Sequence, residues 1–382
     1  MMILFDYIIW SPDPAIVTIP LSAIGLPDRP IVWYGLLFAL GFLLGQQISY
    51  RIFKADGQDE RDVDTLTTYM VVATIIGARL GHCLFYNPIY YLSNPIEILK
   101  VWEGGLASHG GAIGIFVALW IYANYEVKSK WFFIIPLKLS AKKKKKEGQS
   151  YLWILDRIAI VVALTGALIR TGNFMNSEME GVETRSNFGV VYARASKEIL
   201  DFDEKMVEEV RFEKRADVGS VPGRVPIKAV VTMQSGVRMD AGIEGQLTRN
   251  LMGYQEVVDH VDFKSENGTL DYSILQVKGH DVIEINGTGI LRHTPQLYEA
   301  IACIIITVLL LWLWKYKRHQ LNSGVIFGIF MMLLWSDRFF NEFFKMNQEA
   351  FEASLPINMG QILSIPMFLV GVAVFFRAVK KG

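Results

Sequence analysis

Seven stretches of this chain, 18 to 24 residues each, are dominated by apolar side chains: 31–50, 63–86, 106–124, 151–169, 296–316, 323–340 and 359–376. About 20 apolar residues in a helix cross the ~30 Å hydrocarbon core of a bilayer. Inside lipid every backbone N–H and C=O must be bonded within the protein, so each stretch is expected as a helix. Composition agrees, with 52% hydrophobic residues and 20% charged, against about 25% charged in soluble domains. The expected fold class is an all-α polytopic membrane protein with seven transmembrane helices and a β-rich extracytoplasmic insertion.

Lys and Arg sort between the stretches. Arg51, Lys54 and Arg61 lie in the first connection, Lys128, Lys130, Lys138 and the lysine run 142–146 in the third. Lys315, at the end of the fifth stretch, leads into Lys317 and Arg318 of the fifth connection, and Arg377, Lys380 and Lys381 lie in the tail. The short connections on the other side, 87–105 and 341–358, carry only Lys100 and Lys345. The positive-inside rule then places the N-terminus outside and the C-terminus in the cytoplasm. The first residues, MMILFDYIIWSPDPAIV, lack the basic n-region and cleavage site of a removable signal peptide.

The fourth connection is long, polar and expected outside. VPIKAVVTMQSG and LDYSILQVKGHDVIEING alternate β-branched residues with Gly and Asn turns, as a small β-rich region does. KEILDFDEKMVEEVRFEKR reads as a helix or a solvated loop. The expected organisation is a transmembrane core over 1–181, an insertion over 182–292 and a second core segment over 293–382. With 38 basic and 38 acidic residues the net charge is zero, which suggests no nucleic-acid partner. Cys83 and Cys303 lie inside apolar stretches, where thiols serve as small hydrophobes.

Polar residues collect at the outer ends of the stretches, where charge is costly and marks a bundle interior or wet cavity. They are Tyr34 in the first, Arg79 and His82 in the second, and His109 at the start of the third. Arg170, Asn173, Asn176 and Glu178 close the fourth, and Asp337, Arg338 and Glu342 the sixth. Singly, each has a plain reading: Arg79 as a tie between helices, His82 as packing, Tyr34 as part of an aromatic belt, Arg338–Glu342 as an ion pair four residues apart. Together, several arginines at one depth suit an anion, because guanidinium presents a fork of donors to phosphate oxygens. GGLASHGGAIG (104–114) sets His109, Gly110 and Gly111 at a helix N-terminus, where the dipole favours an anion and disfavours imidazolium. A glycine-rich packing face is the other reading of that stretch. HExxH, GxSxG and Walker A patterns are absent, as is metal-ligand spacing of Cys, His and carboxylates. No metal and no cofactor is therefore expected. A lipid or anion transporter, a flippase, and a membrane assembly scaffold remain open beside an enzyme.

Seven motifs in order resemble those of the prolipoprotein diacylglyceryl transferases of bacterial plasma membranes. They are WYG (33–35), GARLGHCLFYN (77–87), GGLASHGGAIG (104–114), RTGNFMNSEMEG (170–181), HTPQLYEA (293–300), RFFNEF (338–343) and MGQILSIPM (359–367). The resemblance implies transfer of the diacylglyceryl group of phosphatidylglycerol to the lipobox cysteine of a preprolipoprotein, with glycerol phosphate released. It implies a seven-span enzyme with an outward-facing site, in the bacterial inner membrane and near its outer leaflet; a monomer is expected. It makes His109, Arg170 and Arg338 catalytic, and Glu342 the partner of Arg338. Asn173, Glu178 and Gly181 match the signature around the first arginine, and Tyr34 a functional tyrosine. With Arg79, Gly110, Gly111 and Asn176 these form the expected lipid-binding set. The chain departs from the family at Leu334, where a tyrosine is often found, and in the length of its external segment.

Overall fold

The computed structural model describes residues 7–22, 25, 27–101, 104–132, 135–143, 148–186, 189–215, 219, 221–265, 267–346 and 356–380. Lys144, Lys145 and Lys146 of the lysine run, Lys381 and the first six residues lie outside them. Strands β1 (Ile8–Trp10), β2 (Ala15–Ile19) and β3 (Arg29–Val32) precede helices α1 (Trp33–Ala55), α2 (Arg61–Phe85), α3 (Pro88–Ser93), α4 (Pro95–Ile98) and α5 (Ser108–Asn124). A hairpin of β4 (Tyr125–Phe132) and β5 (Ile135–Lys143) leads to α6 (Tyr151–Met175). Then come β6 (Val190–Tyr192), α7 (Arg194–Leu200), β7 (Val207–Lys214), β8 (Arg224–Met233), α8 (Ala241–Gly253), α9 (Gln255–Val258), β9 (Val261–Asp262), β10 (Tyr272–Val277) and β11 (His280–Ile290). Helices α10 (Pro295–Lys317), α11 (Val325–Asn341) and α12 (Met359–Val379) close the chain.

Among the described residues, five helices are long and apolar enough to cross a membrane: α1, α2, α6, α10 and α12. The protein is thus mostly helical and multi-pass. Helices α5 and α11 are apolar but have 17 residues each, about 26 Å at helical rise.

The chain divides into two compact units. Unit one comprises Met1–Leu37, Ile169–Ile301 and Asp337–Ile362; unit two comprises Phe38–Leu168, Ala302–Ser336 and Leu363–Gly382.

Unit two is a helical bundle. Its core includes Phe53, Leu66, Leu119, Ile154, Ile160 and Leu310, each no more than 1% exposed. Helices α2 and α5 approach backbone to backbone across glycines: a Cβ on Gly81 would stand 2.7 Å from Gly110 Cα, and one on Gly114 3.2 Å from Gly77 Cα. Small residues permit such packing where lipid offers helices no hydrophobic drive to associate. Buried Asp156 accepts from the N–H groups of Gly324 and Phe327, both at 2.8 Å, and so satisfies the start of α11. Arg157 donates to Asp56 through Nε at 2.9 Å and stands with Nη2 2.8 Å from the same oxygen; Trp314 Nε1 donates to Asp56 at 3.2 Å.

In unit one, β10-β11-β8-β7 form an antiparallel sheet, with β9 also paired to β11. Its buried side holds Val231, Met233, Ile283 and Ile285 against Leu247 and Leu251 of α8. The β10–β11 turn uses Lys278 (φ 51°) and Gly279 (φ 89°), both in the left-handed region that a tight hairpin needs. The charged stretch from Lys197, expected as a helix or a solvated loop, is helical to Leu200 as the end of α7, is a loop over 201–206, and becomes strand β7 from Val207. Val207 and Val210 are buried against the sheet while its acidic side chains face outward, so pairing with β8 overrides the local preference.

Candidate functional site

Helix α6 does continue past its apolar stretch to Met175, so Arg170 and Asn173 share a face. Arg170 Nη1 donates to Asn173 Oδ1 at 3.2 Å. The chain then turns sharply, with Ser177 and Met179 at φ 50° and 60°. Such backbone costs non-glycine residues about 1–3 kcal/mol and persists where the surroundings hold it. The turn returns Glu178 to the helix end: it accepts from Asn173 Nδ2 at 2.9 Å and Asn176 Nδ2 at 3.0 Å. It also brings Met179 Sδ 2.9 Å from Arg170 Nη1. Gln296, at the start of α10, donates to the Glu178 carbonyl. Buried Asn176 Oδ1 and Ser177 Oγ have no protein partner among the described residues.

The residue that organises this site is Glu299 of α10. Its carboxylate pairs with Arg170 Nε and with Arg338 Nη1, the latter at 3.2 and 3.4 Å. Arg338 Nη2 also lies 3.7 Å from Glu342, the partner expected four residues on. Glu342 sits in the 3-10 turn after α11, accepts from Asn358 Nδ2 at 3.1 Å and lies 3.6 Å from Lys345 Nζ. Burial holds the Lys345 ammonium below the ordinary lysine range, against the attraction of Glu342. Gly360 lets Glu342 pack there, because a Cβ would stand 2.8 Å from Glu342 Cγ. Unit one thus brings Arg170, Asn173, Asn176, Glu178, Arg338 and Glu342 into one connected polar cluster.

Tyr34 packs on the same helix: a Cβ on Gly172 would stand 3.0 Å from its Cα. Gly181 is a crossing point, where a Cβ would fall 2.7 Å from both His293 Cβ and the Phe344 carbonyl. Its N–H donates to the His293 carbonyl at 3.2 Å. No side chain fits there.

The other expected residues belong to unit two. His109 lies in the first turn of α5, exposed, with its ring edge-on to Phe85 (5.2 Å) and tilted against Tyr86 (6.1 Å). Gly111 N–H already donates to the Ala107 carbonyl at 3.1 Å. The amides ahead of the first helical hydrogen bond are therefore those of Ser108, His109 and Gly110, a shift of one residue from the expected Gly110–Gly111 pair. Both glycines are buried against α2, so the packing reading of this stretch holds together with the helix start. Arg79 is drawn inward. It donates to the carbonyls of Glu97 (2.5 Å), Ile98 (3.0 Å), Gly104 (2.6 Å) and Gly105 (3.4 Å), and covers the Tyr91 ring. It ties α4 and the turn before α5 to α2. His82 stacks on Tyr86 at 5.3 Å.

Glu299 and Lys345 were not foreseen as site residues. Glu299 did leave a signal: it is the one acidic residue in the stretch 296–316, where a charge is expensive without a partner. Lys345 left none, since a lone lysine in a connection reads as solvated.

Two guanidinium groups on apolar helices are bridged here by one carboxylate, in a mostly helical, multi-pass membrane protein. The family model for prolipoprotein diacylglyceryl transferase matches residues 22–377, and the chain belongs to that family. It is similar to the phosphatidylglycerol–prolipoprotein diacylglyceryl transferase of Tolumonas auensis, 32% identical over 372 residues, which cover 97% of this chain and 98% of that protein. The enzymes of the same name from Porphyromonas gingivalis and Chloroherpeton thalassium are 31% and 29% identical, each match covering 99% of this chain and 97% and 96% of the relative.

Proposed function

We propose that this protein transfers the sn-1,2-diacylglyceryl group of phosphatidylglycerol to the lipobox cysteine thiol of a preprolipoprotein, the first step of bacterial lipoprotein maturation. The observation that carries the chemistry is the Arg170–Glu299–Arg338 bridge. Two guanidinium groups held by one carboxylate concentrate positive charge for a phosphate, and their arrangement is set before substrate binds.

In the reaction the cysteine sulfur attacks the glycerol carbon that bears the phosphate ester. A C–S bond forms as the C–O bond to the phosphate breaks, and negative charge builds on the departing glycerol phosphate. Arg170 and Arg338 stabilise that charge. Glu342 orients Arg338, and Glu178 with Asn173 fixes the Arg170 turn. The thiol must first lose its proton, since thiolate is the nucleophile and a free thiol titrates near 8.5. His109 takes that proton, a role supported by the family resemblance and by its position in the first turn of α5.

Seven helices span the bacterial inner membrane in this reading, α5 and α11 included, with the N-terminus outside and the C-terminus in the cytoplasm. The 17 residues of α5 and α11 lie at the lower end of the usual spanning range. Residues 182–292 form an extracytoplasmic head, the site faces the outer leaflet and the enzyme acts as a monomer.

The test is mass spectrometry of a lipobox peptide incubated with purified protein and phosphatidylglycerol. A diacylglyceryl mass gain on cysteine, with glycerol phosphate released and His109→Gln inactive, supports the assignment. Full activity in His109→Gln removes the base role. No mass gain from folded protein turns the reading to transport of the same lipid.

A further inference from the structure

The turn that carries Glu178 and Met179 is tied to the segment between α9 and β9 by a histidine–carboxylate pair that the chemistry above does not use. Both ring nitrogens of His260 face acceptors. Nδ1 lies 2.6 Å from the Glu256 carbonyl, and Nε2 is bonded to the Glu180 carboxyl group. A neutral imidazole has one N–H and one lone pair. Two acceptors therefore require two ring protons, or one on the ring and one on the carboxyl group. Either way, the pair holds one proton more than a neutral histidine beside a carboxylate. The two side chains are 14% and 15% exposed, so water replaces these contacts poorly.

We propose that Glu180 and His260 are a positioning pair that uses this proton to hold the 176–182 turn, and through it Arg170, in working geometry; the inference rests on the transferase reading. Glu180 stands between the residue that touches Arg170 and the residue that crosses two other segments. Met179 on one side has φ 60° and receives Arg170 Nη1 on its sulfur. Gly181 on the other accepts from Arg292 Nη1 at 3.1 Å. The Glu180 carbonyl accepts from Met346 N–H at 3.2 Å. A turn with two non-glycine residues at positive φ relaxes unless its neighbours hold it.

From α7, Arg194 donates through Nη1 to the Asn176 carbonyl of the turn at 2.5 Å. From β6, the Tyr192 ring lies 6.2 Å from that of His260, and burial followed by the Glu180 charge raises its phenol above the usual range, so it stays neutral. From the segment after β11, Arg292 donates to the Asp259 carbonyl through Nε at 3.2 Å and Nη2 at 2.5 Å, one residue before His260. From the α9 turn, the Asp259 carboxylate is taken by Gln255 at 2.6 Å, and Glu256 presents its carbonyl. Within the 176–182 turn, Glu178 is taken by the two asparagines. None of these contacts replaces the Glu180–His260 bond.

Without that proton the Nε2 lone pair faces a carboxylate. The turn then loosens, and so does the hold on Arg170. In Glu180→Gln the neutral ring keeps Nδ1–H on the Glu256 carbonyl and accepts from the new amide, so the tie persists without titrating.

The experiment uses full-length wild type, Glu180→Gln and His260→Ala in phosphatidylglycerol nanodiscs. It reads hydrogen exchange over 173–182, corrected for intrinsic rates, and kcat/KM for lipobox peptide across pH. Wild type should lose protection in the turn as pH rises, and its kcat/KM relative to Glu180→Gln should fall about tenfold, the scale of one charge-assisted hydrogen bond. His260→Ala should leave the turn unprotected at every pH. Parallel profiles for wild type and Glu180→Gln in both readouts overturn the proposal, as does unchanged protection in His260→Ala. Absence of transfer by wild type overturns the transferase reading instead, while the exchange data still decide whether the pair holds the turn.

Discussion

Glu299→Gln exchanges one carboxylate oxygen for an amide at the point where Arg170 and Arg338 meet. Glu299 accepts from Arg170 Nε and from Arg338 Nη1 at 3.2 and 3.4 Å, with its side chain 9% exposed. Hydrogen bonds to charged groups contribute about 1.5–3 kcal/mol each, and removing one partner of a buried pair costs about 3–5 kcal/mol. The arginine side chains are 18% and 27% exposed, so solvent screens part of this and the lower end applies. Glutamine keeps one carbonyl for one guanidinium and sets an NH2 against the other. The expected loss is about 2–3 kcal/mol of transition-state stabilisation, or roughly 30- to 150-fold in kcat/KM. The assay is peptide diacylglyceryl transfer in phosphatidylglycerol nanodiscs, with thermal unfolding followed in parallel to separate lost chemistry from lost fold. The double variant with Arg338→Gln should show a coupling of about 1–2 kcal/mol, because the two residues share one contact. Activity within about threefold of wild type, or full additivity in the cycle, would refute the reasoning that Glu299 organises both arginines.

Arg338→Lys retains charge but loses the fork shared with Glu299 and Glu342, and kcat should drop by about 10²–10³ in the same assay. Gly81→Ala places a Cβ 2.7 Å from Gly110 Cα, backbone that cannot give way without parting α2 from α5; unfolding in detergent should show a loss of about 1–3 kcal/mol. Asp56→Asn removes the charge that faces Arg157 at 2.8 Å and Arg318 at 3.4 Å. It should lower thermal stability by about 3–5 kcal/mol, with transfer unaffected at temperatures where the variant stays folded.

Much of the helical frame was legible because a bilayer helix must be apolar along its length and internally bonded, and a linear pattern records both. The i,i+3 pair Arg170–Asn173 and the i,i+4 pair Arg338–Glu342 were legible for the same reason, since helical spacing alone puts them on one face. Strand β7 was not. Its acidic side chains look solvated in sequence, and they are, but the valines between them are buried because pairing with β8 sets them in the core of the sheet. The donors of Arg79 illustrate a second limit. A buried arginine announces that partners exist, whereas the carbonyls of Glu97, Ile98, Gly104 and Gly105 become partners only through the path of a connecting segment.

The sequence by itself determined that this chain enters a membrane, which helices carry polar ends, and which family it belongs to, because hydropathy and motif order are properties of a line. Only the tertiary structure decided that Glu299 joins two arginines 168 positions apart, that Glu180 meets His260, and that Gly181 is a backbone crossing. Those relations come from chain closure. Electrostatic attraction between buried groups falls with distance in space and is indifferent to distance in sequence, so the partner of a costly buried charge is settled only once the helices have packed.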